Sequence, residues 1–202
     1  ITLAFTNFQA AKGHYPPSWK SPDVTELATT EQNLAGWSIH SLLLPYLEQK
    51  VVASNLDYDQ PYNTVGNIAL ADGRSVPLSS VRIPVYLSPA EPRDEARLSG
   101  TSNPTQQHYP FNYAVNLGTW FVWDPVTRKG GAGAAFPDSK LRDSDFRDGL
   151  GYTLAFGEVK AWQPYYRNGN VTTLSATTFP TAAEICTLAN DGTLRDSGHT
   201  EW

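Results

Sequence analysis

The chain has 202 residues, of which 17% are charged, with 15 prolines, 15 glycines, six tryptophans, ten tyrosines and a formal net charge of −5. That length is enough for one domain with a real core, and the mixture fits a loop-rich α+β or β-rich protein rather than a helical bundle or a disordered chain. Without a basic block there is nothing to drive phosphate-backbone binding, so nucleic acid is excluded as a partner, and the single Cys186 excludes an intrachain disulfide or a cysteine-rich zinc site.

Ile1 to Pro17, ITLAFTNFQAAKGHYPP, reads as an amphipathic helix with Ile1, Leu3, Phe5 and Phe8 as its packing face. Gly13 suits a left-handed C-cap, and Pro16 and Pro17 forbid continuation. A strand reading of the first six residues competes, because Ile1, Leu3 and Phe5 also alternate. A helix that begins without an N-cap residue reads as the end of a longer one. No window is apolar enough to cross a bilayer, so an anchor or a signal would lie upstream of Ile1.

Asp23 to Gln32 is a short-helix candidate in a polar stretch. Trp37 to Gln49, WSIHSLLLPYLEQ, is the most apolar window; Pro45 demands a kink or restart, and Leu43, Leu44 and Leu47 face the core. Asp57 to Asn63 is a turn-rich loop, and Asn67 to Val76 a hairpin around Asp72-Gly73. Arg82 to Leu87, Asn112 to Trp123 and Tyr152 to Val159 read as strands. Lys129 to Ala135 is a glycine-rich loop, Thr172 to Pro180 a loop, and Thr181 to Asn190 a short helix closed by Asp191-Gly192.

Few constellations carry chemistry. Asp143, Asp145 and Asp148 invite an irregular calcium loop, although an EF-hand fails because Arg147 and Leu154 occupy ligand positions; the alternative is a solvated turn at Asp148-Gly149. His199 and Glu201 share a strand face but lack the second cysteine of a zinc deaminase, which leaves His199 as a hydrogen-bonded structural residue. Gly130, Gly131 and Gly133 lack the Lys-Ser/Thr of a phosphate loop, and Cys186 reads as a half-buried, inert thiol. Trp120, Trp123, Trp162, Tyr165 and Tyr166 form either a platform for a sugar or partner, or ordinary core and loop anchors. Nowhere do an acid, a base and an oxyanion site assemble. Catalytic residues, and cofactors other than calcium, are not expected.

Several segments together resemble a pseudopilin-like family of planctomycete-type bacteria, whose central domain carries a domain-of-unknown-function label and is sometimes titled solute-binding. They are LAFTNFQAAKGHYPP (Leu3 to Pro17) and the W-S…LLPYLEQ pattern of Trp37, Ser38, Leu43, Leu44, Pro45, Tyr46, Leu47, Glu48 and Gln49. IPVYLSPAEP follows, with Ser88 where many members have cysteine, then NYAVNLGTW (Asn112 to Trp120) and FRDGLGYTLAFGEVKAW. Leu150-Gly151-Tyr152 departs from the usual T/L-S-N, and SGHTEW (Ser197 to Trp202) is similar to the start of a C-terminal motif.

The resemblance implies an α+β, pilin-like fold, with an N-terminal helix on an antiparallel sheet bearing long loop insertions. The expectation is one domain over residues 1–202, with 1–12 the tail of the helix, 13–202 the head, and sequence missing at both ends. It further implies an exported bacterial protein of the envelope or extracellular space, related to type IV pilus or type II secretion subunits. Its partners would be copies of itself or other pilin-like subunits, and the membrane through an upstream helix. The alternative is an envelope-tethered module that captures a glycan or small solute.

Overall fold

The computed structural model describes residues 1–21, 36–99, 105–124, 127, 129–167, 169, 174, 178–196. Asp23 to Gln32, His199, Glu201, the SGHTEW motif and most of Thr172 to Pro180 lie outside them. The architecture is α+β, a mixture of short helices and small antiparallel sheets. In chain order the elements begin with α1 (Thr2–Lys12), β1 (Trp19–Lys20), β2 (Trp37–Ser38), α2 (Ile39–Leu43) and α3 (Lys50–Ala53). Next come β3 (Asn67–Ala69), β4 (Ser75–Pro77), β5 (Arg97–Ser99), β6 (Thr105–His108), β7 (Tyr113–Val115), β8 (Trp123–Asp124) and β9 (Lys129–Gly130). The last are β10 (Phe156–Glu158), β11 (Tyr165–Arg167), α4 (Ala182–Asp191) and β12 (Thr193–Arg195).

Among the described residues there is no single sheet for the N-terminal helix to pack on. The strands form six two-stranded antiparallel ladders: β1 with β2, β3 with β4, β5 with β6, β7 with β10, β8 with β9 and β11 with β12. Proline and glycine punctuation explains the fragmentation. Arg82 to Leu87 is not a strand: Pro84 lacks the N–H a ladder needs and instead opens a 3₁₀ turn, Pro84–Tyr86. The run Asn112 to Trp123 breaks into β7 and β8 around Gly118, whose φ is 85°. In Tyr152 to Val159 only β10 is strand, and a 3₁₀ turn, Leu150–Tyr152, precedes it.

The helices end where local chemistry stops them. Gly13 sits in the left-handed region (φ 76°) and its N–H donates to the Gln9 carbonyl, closing α1. Ser38 caps α2 through its hydroxyl, which accepts from Ser41 N–H. Pro45 then converts the chain to a 3₁₀ turn, Leu44–Tyr46, before α3 begins. Thr181 and Glu184 form a reciprocal capping box on α4.

Two apolar clusters share Ile1, Leu47 and Tyr58 at their margins. One gathers Trp37, Leu44, Val76, Ile83, Tyr86 and Phe111; the other holds Phe5, Phe8, Tyr15, Ile39 and Leu43. His40 lies between aromatic rings, 4.1 Å from Phe111 and 5.0 Å from Tyr86 between centroids. Its Nε2–H donates to the Tyr113 carbonyl at 2.7 Å, since a carbonyl only accepts. Burial pushes the imidazole pKa down to about 4, against that hydrogen bond, which would raise it. The α4 helix contributes nothing to either cluster. None of its residues is buried, so Cys186 is exposed rather than half-buried.

Candidate functional site

Four places matter for function: the face of α1, the loops that carry the shared motifs, the aromatic side chains, and a cleft at the end of α1.

The face of α1 divides. Phe5 stacks on Tyr15 at 4.6 Å and meets Phe156 edge-on at 5.6 Å, while Phe8 meets Tyr46 at 5.6 Å. Ile1 is half-buried, and Leu3 is 73% exposed. The outward face therefore consists of Leu3 with Thr2, Thr6, Asn7, Ala10 and Ala11, and bears no charge. Among the described residues no helix is long and apolar enough to cross a membrane.

The motif-bearing loops meet at a polar knot that sequence reading did not single out. Asn112, itself buried, accepts from Ser88 N–H at 2.9 Å and donates to Glu91 Oε2 at 2.8 Å and the Val159 carbonyl at 3.0 Å. The Ala161 N–H donates to the same Glu91 oxygen at 3.1 Å. Burial alone would raise the Glu91 carboxyl, but hydrogen bonds from Asn112, Ala161 and Arg93 outweigh it and hold the group below the usual range. Beside it, Arg82 grips Asp94 with two nitrogens, and the Tyr109 hydroxyl donates to the same carboxylate at 2.6 Å. The Trp37 indole N–H reaches the Asp57 and Gln60 carbonyls, both at 2.9 Å. These residues hold loops in place.

Of the aromatic candidates, Trp120, Trp123, Trp162 and Tyr165 are half-buried and Tyr166 is 57% exposed. Trp162 is already engaged: the Arg93 guanidinium lies 3.5 Å from its ring centroid, and its N–H donates to the Arg93 carbonyl at 2.9 Å. The buried Trp123 N–H meets no acceptor among the described residues. Tyr165 and Tyr166 belong to the β11–β12 ladder, where Tyr166 pairs with Leu194.

Of the acidic candidates, Asp145 accepts from Arg142 N–H at 2.7 Å and closes a 3₁₀ turn, Asp143–Asp145. Tyr15 is raised by burial and by its hydrogen bond to Asp143. Asp148 lies in the turn before Gly149 (φ 83°). Among the described residues no three His, Cys, Asp or Glu side chains gather as a metal site requires. The glycine-rich loop has a packing role: a Cβ at Gly131 would collide with the Phe121 carbonyl, and one at Gly133 with the Leu117 backbone.

A cleft of about 800 Å³ opens where α1 ends. The 15–21 and 136–141 segments run together beneath it, through Tyr15 N–H to the Leu141 carbonyl (2.7 Å) and Asp138 N–H to the Trp19 carbonyl (2.8 Å). Lys12, His14, Lys20 and Lys140 line it; Lys12 and His14 fall within the LAFTNFQAAKGHYPP segment, whereas Lys20 and Lys140 belong to no motif. Only the spatial meeting of these segments makes them a group.

Comparison with known proteins returns a family model described as "Protein of unknown function (DUF1559)", which matches residues 1–199. No curated protein and no solved structure matches the chain.

Proposed function

From the premise that the chain belongs to this family of unknown function, we propose that it is a structural, non-enzymatic subunit of a pilus- or pseudopilus-like filament, exported to the bacterial envelope or beyond. Assembly runs through α1 against copies of this chain or other pilin-like subunits, with the rest of the chain as a pilin-like head. The observation that carries the reading is the two-sidedness of α1. Phe5 and Phe8 fasten it to the head, while Leu3 and its uncharged neighbours face outward. A helix fixed in this way can pack on another helix without detaching from its own head, and a repeated, non-closing contact of that kind grows a filament. The motif resemblance in LAFTNFQAAKGHYPP points the same way.

The test is electron microscopy of the native source, with an antibody against this chain, comparing wild type with Leu3→Asp. Leu3 is exposed, so the change should alter stability by no more than about 0.5 kcal/mol. Labelled filaments in the wild type that vanish in the variant would support the proposal. An unlabelled surface and monomeric native protein would defeat it.

A further inference from the structure

Resting on the reading of α1 as an assembly helix, we infer that Glu48 is a contact between copies: its carboxylate meets the Lys12 ammonium on the α1 of a neighbouring copy. Among the described residues two non-glycine side chains stand on left-handed backbone, Asp138 (φ 55°) and Glu48 (φ 61°). That conformation crowds a Cβ, and a residue persists in it only where its surroundings hold it there. For Asp138 the reason is visible, because its carboxylate accepts from the Ser21 N–H at 2.8 Å and the Ser21 hydroxyl at 2.5 Å. Glu48 has no such reason. It is exposed, and its carboxylate takes part in no hydrogen bond or ion pair among the described residues.

The turn itself does not ask for glutamate. Leu47 and Gln49 both donate their backbone N–H groups to the Leu44 carbonyl, at 3.1 and 3.2 Å, and the left-handed residue between them lets the chain leave the 3₁₀ turn for α3. Glycine fills such a position without strain, as Gly13 does at the end of α1. Nor does Glu48 cap α3, because Gln49 stands at that cap and no side chain accepts from the helix there. A charged side chain kept on strained backbone, with nothing to hold in its own chain, points to a partner outside it.

Its place in the fold says which partner. Tyr46 meets Phe8 edge-on at 5.6 Å and Leu47 packs in the margin that Ile1 also occupies, so the chain emerges at Glu48 along the flank of α1. That helix carries one charged residue, Lys12, exposed in its last turn and in no ion pair among the described residues. Lys12 stands about 6 Å beyond Phe8 along the helix axis. A neighbour shifted along that axis therefore presents its Lys12 to Glu48, opposite in charge. The contact joins two different surfaces, which is the heterologous kind that repeats without closing. It also sets the stagger: apolar packing through Leu3 is non-directional, whereas a charge pair forms in one register.

Antibody-labelled filaments, counted by electron microscopy of the native source, test it in Glu48→Gly, Lys12→Glu and the Glu48→Lys/Lys12→Glu exchange. Glycine removes the carboxylate and suits the backbone, so denaturant unfolding should find that variant at least as stable as wild type. A loss of filaments in it is then not a loss of folding. The expected result is a fall of about tenfold or more in Glu48→Gly and in Lys12→Glu, with recovery to within about threefold of wild type in the exchange. Filaments as abundant in Glu48→Gly as in wild type, or an exchange no better than Lys12→Glu alone, would overturn the inference. So would a Glu48→Gly protein less stable than wild type. Filaments that vanish with Leu3→Asp but survive Glu48→Gly defeat this contact alone, whereas a wild type without filaments defeats the assembly reading and this contact with it.

Discussion

Acid should unfold this protein through His40 before its carboxylates are fully protonated. The imidazole is held at about 4 in the folded chain against 6.5 when free, because burial disfavours its charged form. As pH falls below 6.5 the unfolded chain takes up a proton that the folded chain refuses. Stability therefore declines across the window from 6.5 to about 4, and flattens once the folded ring is also protonated. The separation corresponds to about 3 kcal/mol, a large fraction of the stability of an ordinary domain. His108, lowered to about 4 by burial and then by Arg97, acts with the same sign in the same window. Asp94, held low chiefly by the Arg82 hydrogen bond against its desolvation, contributes only at lower pH, where free carboxylates become protonated. The assay is denaturant unfolding at a series of pH values, for wild type and His40→Gln. Glutamine keeps an N–H donor for the Tyr113 carbonyl and cannot titrate, so the variant should lose a slope of about 1.4 kcal/mol per pH unit. Nitrogen NMR of the ring should show the neutral Nε2–H form persisting below pH 6. A ring that titrates near 6.5 with the fold intact, or a variant with the wild-type slope, would refute the reasoning.

Two further predictions concern order rather than acid. Asn112→Ala removes a buried side chain that makes three hydrogen bonds, leaving Ser88 N–H and the Val159 carbonyl unpaired; a loss of about 2–4 kcal/mol in denaturant unfolding is expected, and a loss below about 1 kcal/mol would contradict the knot. Thr181→Ala breaks the capping box of α4 at a cost of about 1 kcal/mol, and because no residue of that helix is buried, amide exchange should quicken in 182–191 while the melting of the core stays put.

How much of this was legible in the sequence depends on the range of the interaction involved. Gly13, Pro45, the Asp72-Gly73 hairpin and the short helix after Thr181 all depend on signals within a few residues, so reading the chain finds them. The strand runs misled because alternation reports a face to bury and says nothing of whether a partner strand exists. Pro84 denies one a ladder, and Gly118 turns another aside. Helical spacing grouped Leu3 with Phe5, yet it could not tell which flank the head would cover. Cys186 and Ile185 on α4 stay exposed and Leu188 is only half-buried, so the apolar pattern of that helix finds little to cover it among the described residues. The cleft was invisible for a different reason. Lys12 and Lys140 are 128 positions apart, and only the pairing of 15–21 with 136–141 brings them to one concavity.

The fragmentation of the β-structure has a consequence for crowding. Among the described residues no strand exceeds the four residues of β6, and each ladder has only two strands. Every edge among the described residues is therefore too short to template a foreign strand, which is how natural sheets guard against edge-to-edge aggregation. In the filament proposed above, neighbouring copies would meet one another's edges constantly. Here those edges offer one or two hydrogen bonds before a turn ends the register, so neighbours can press together without fusing into a common sheet.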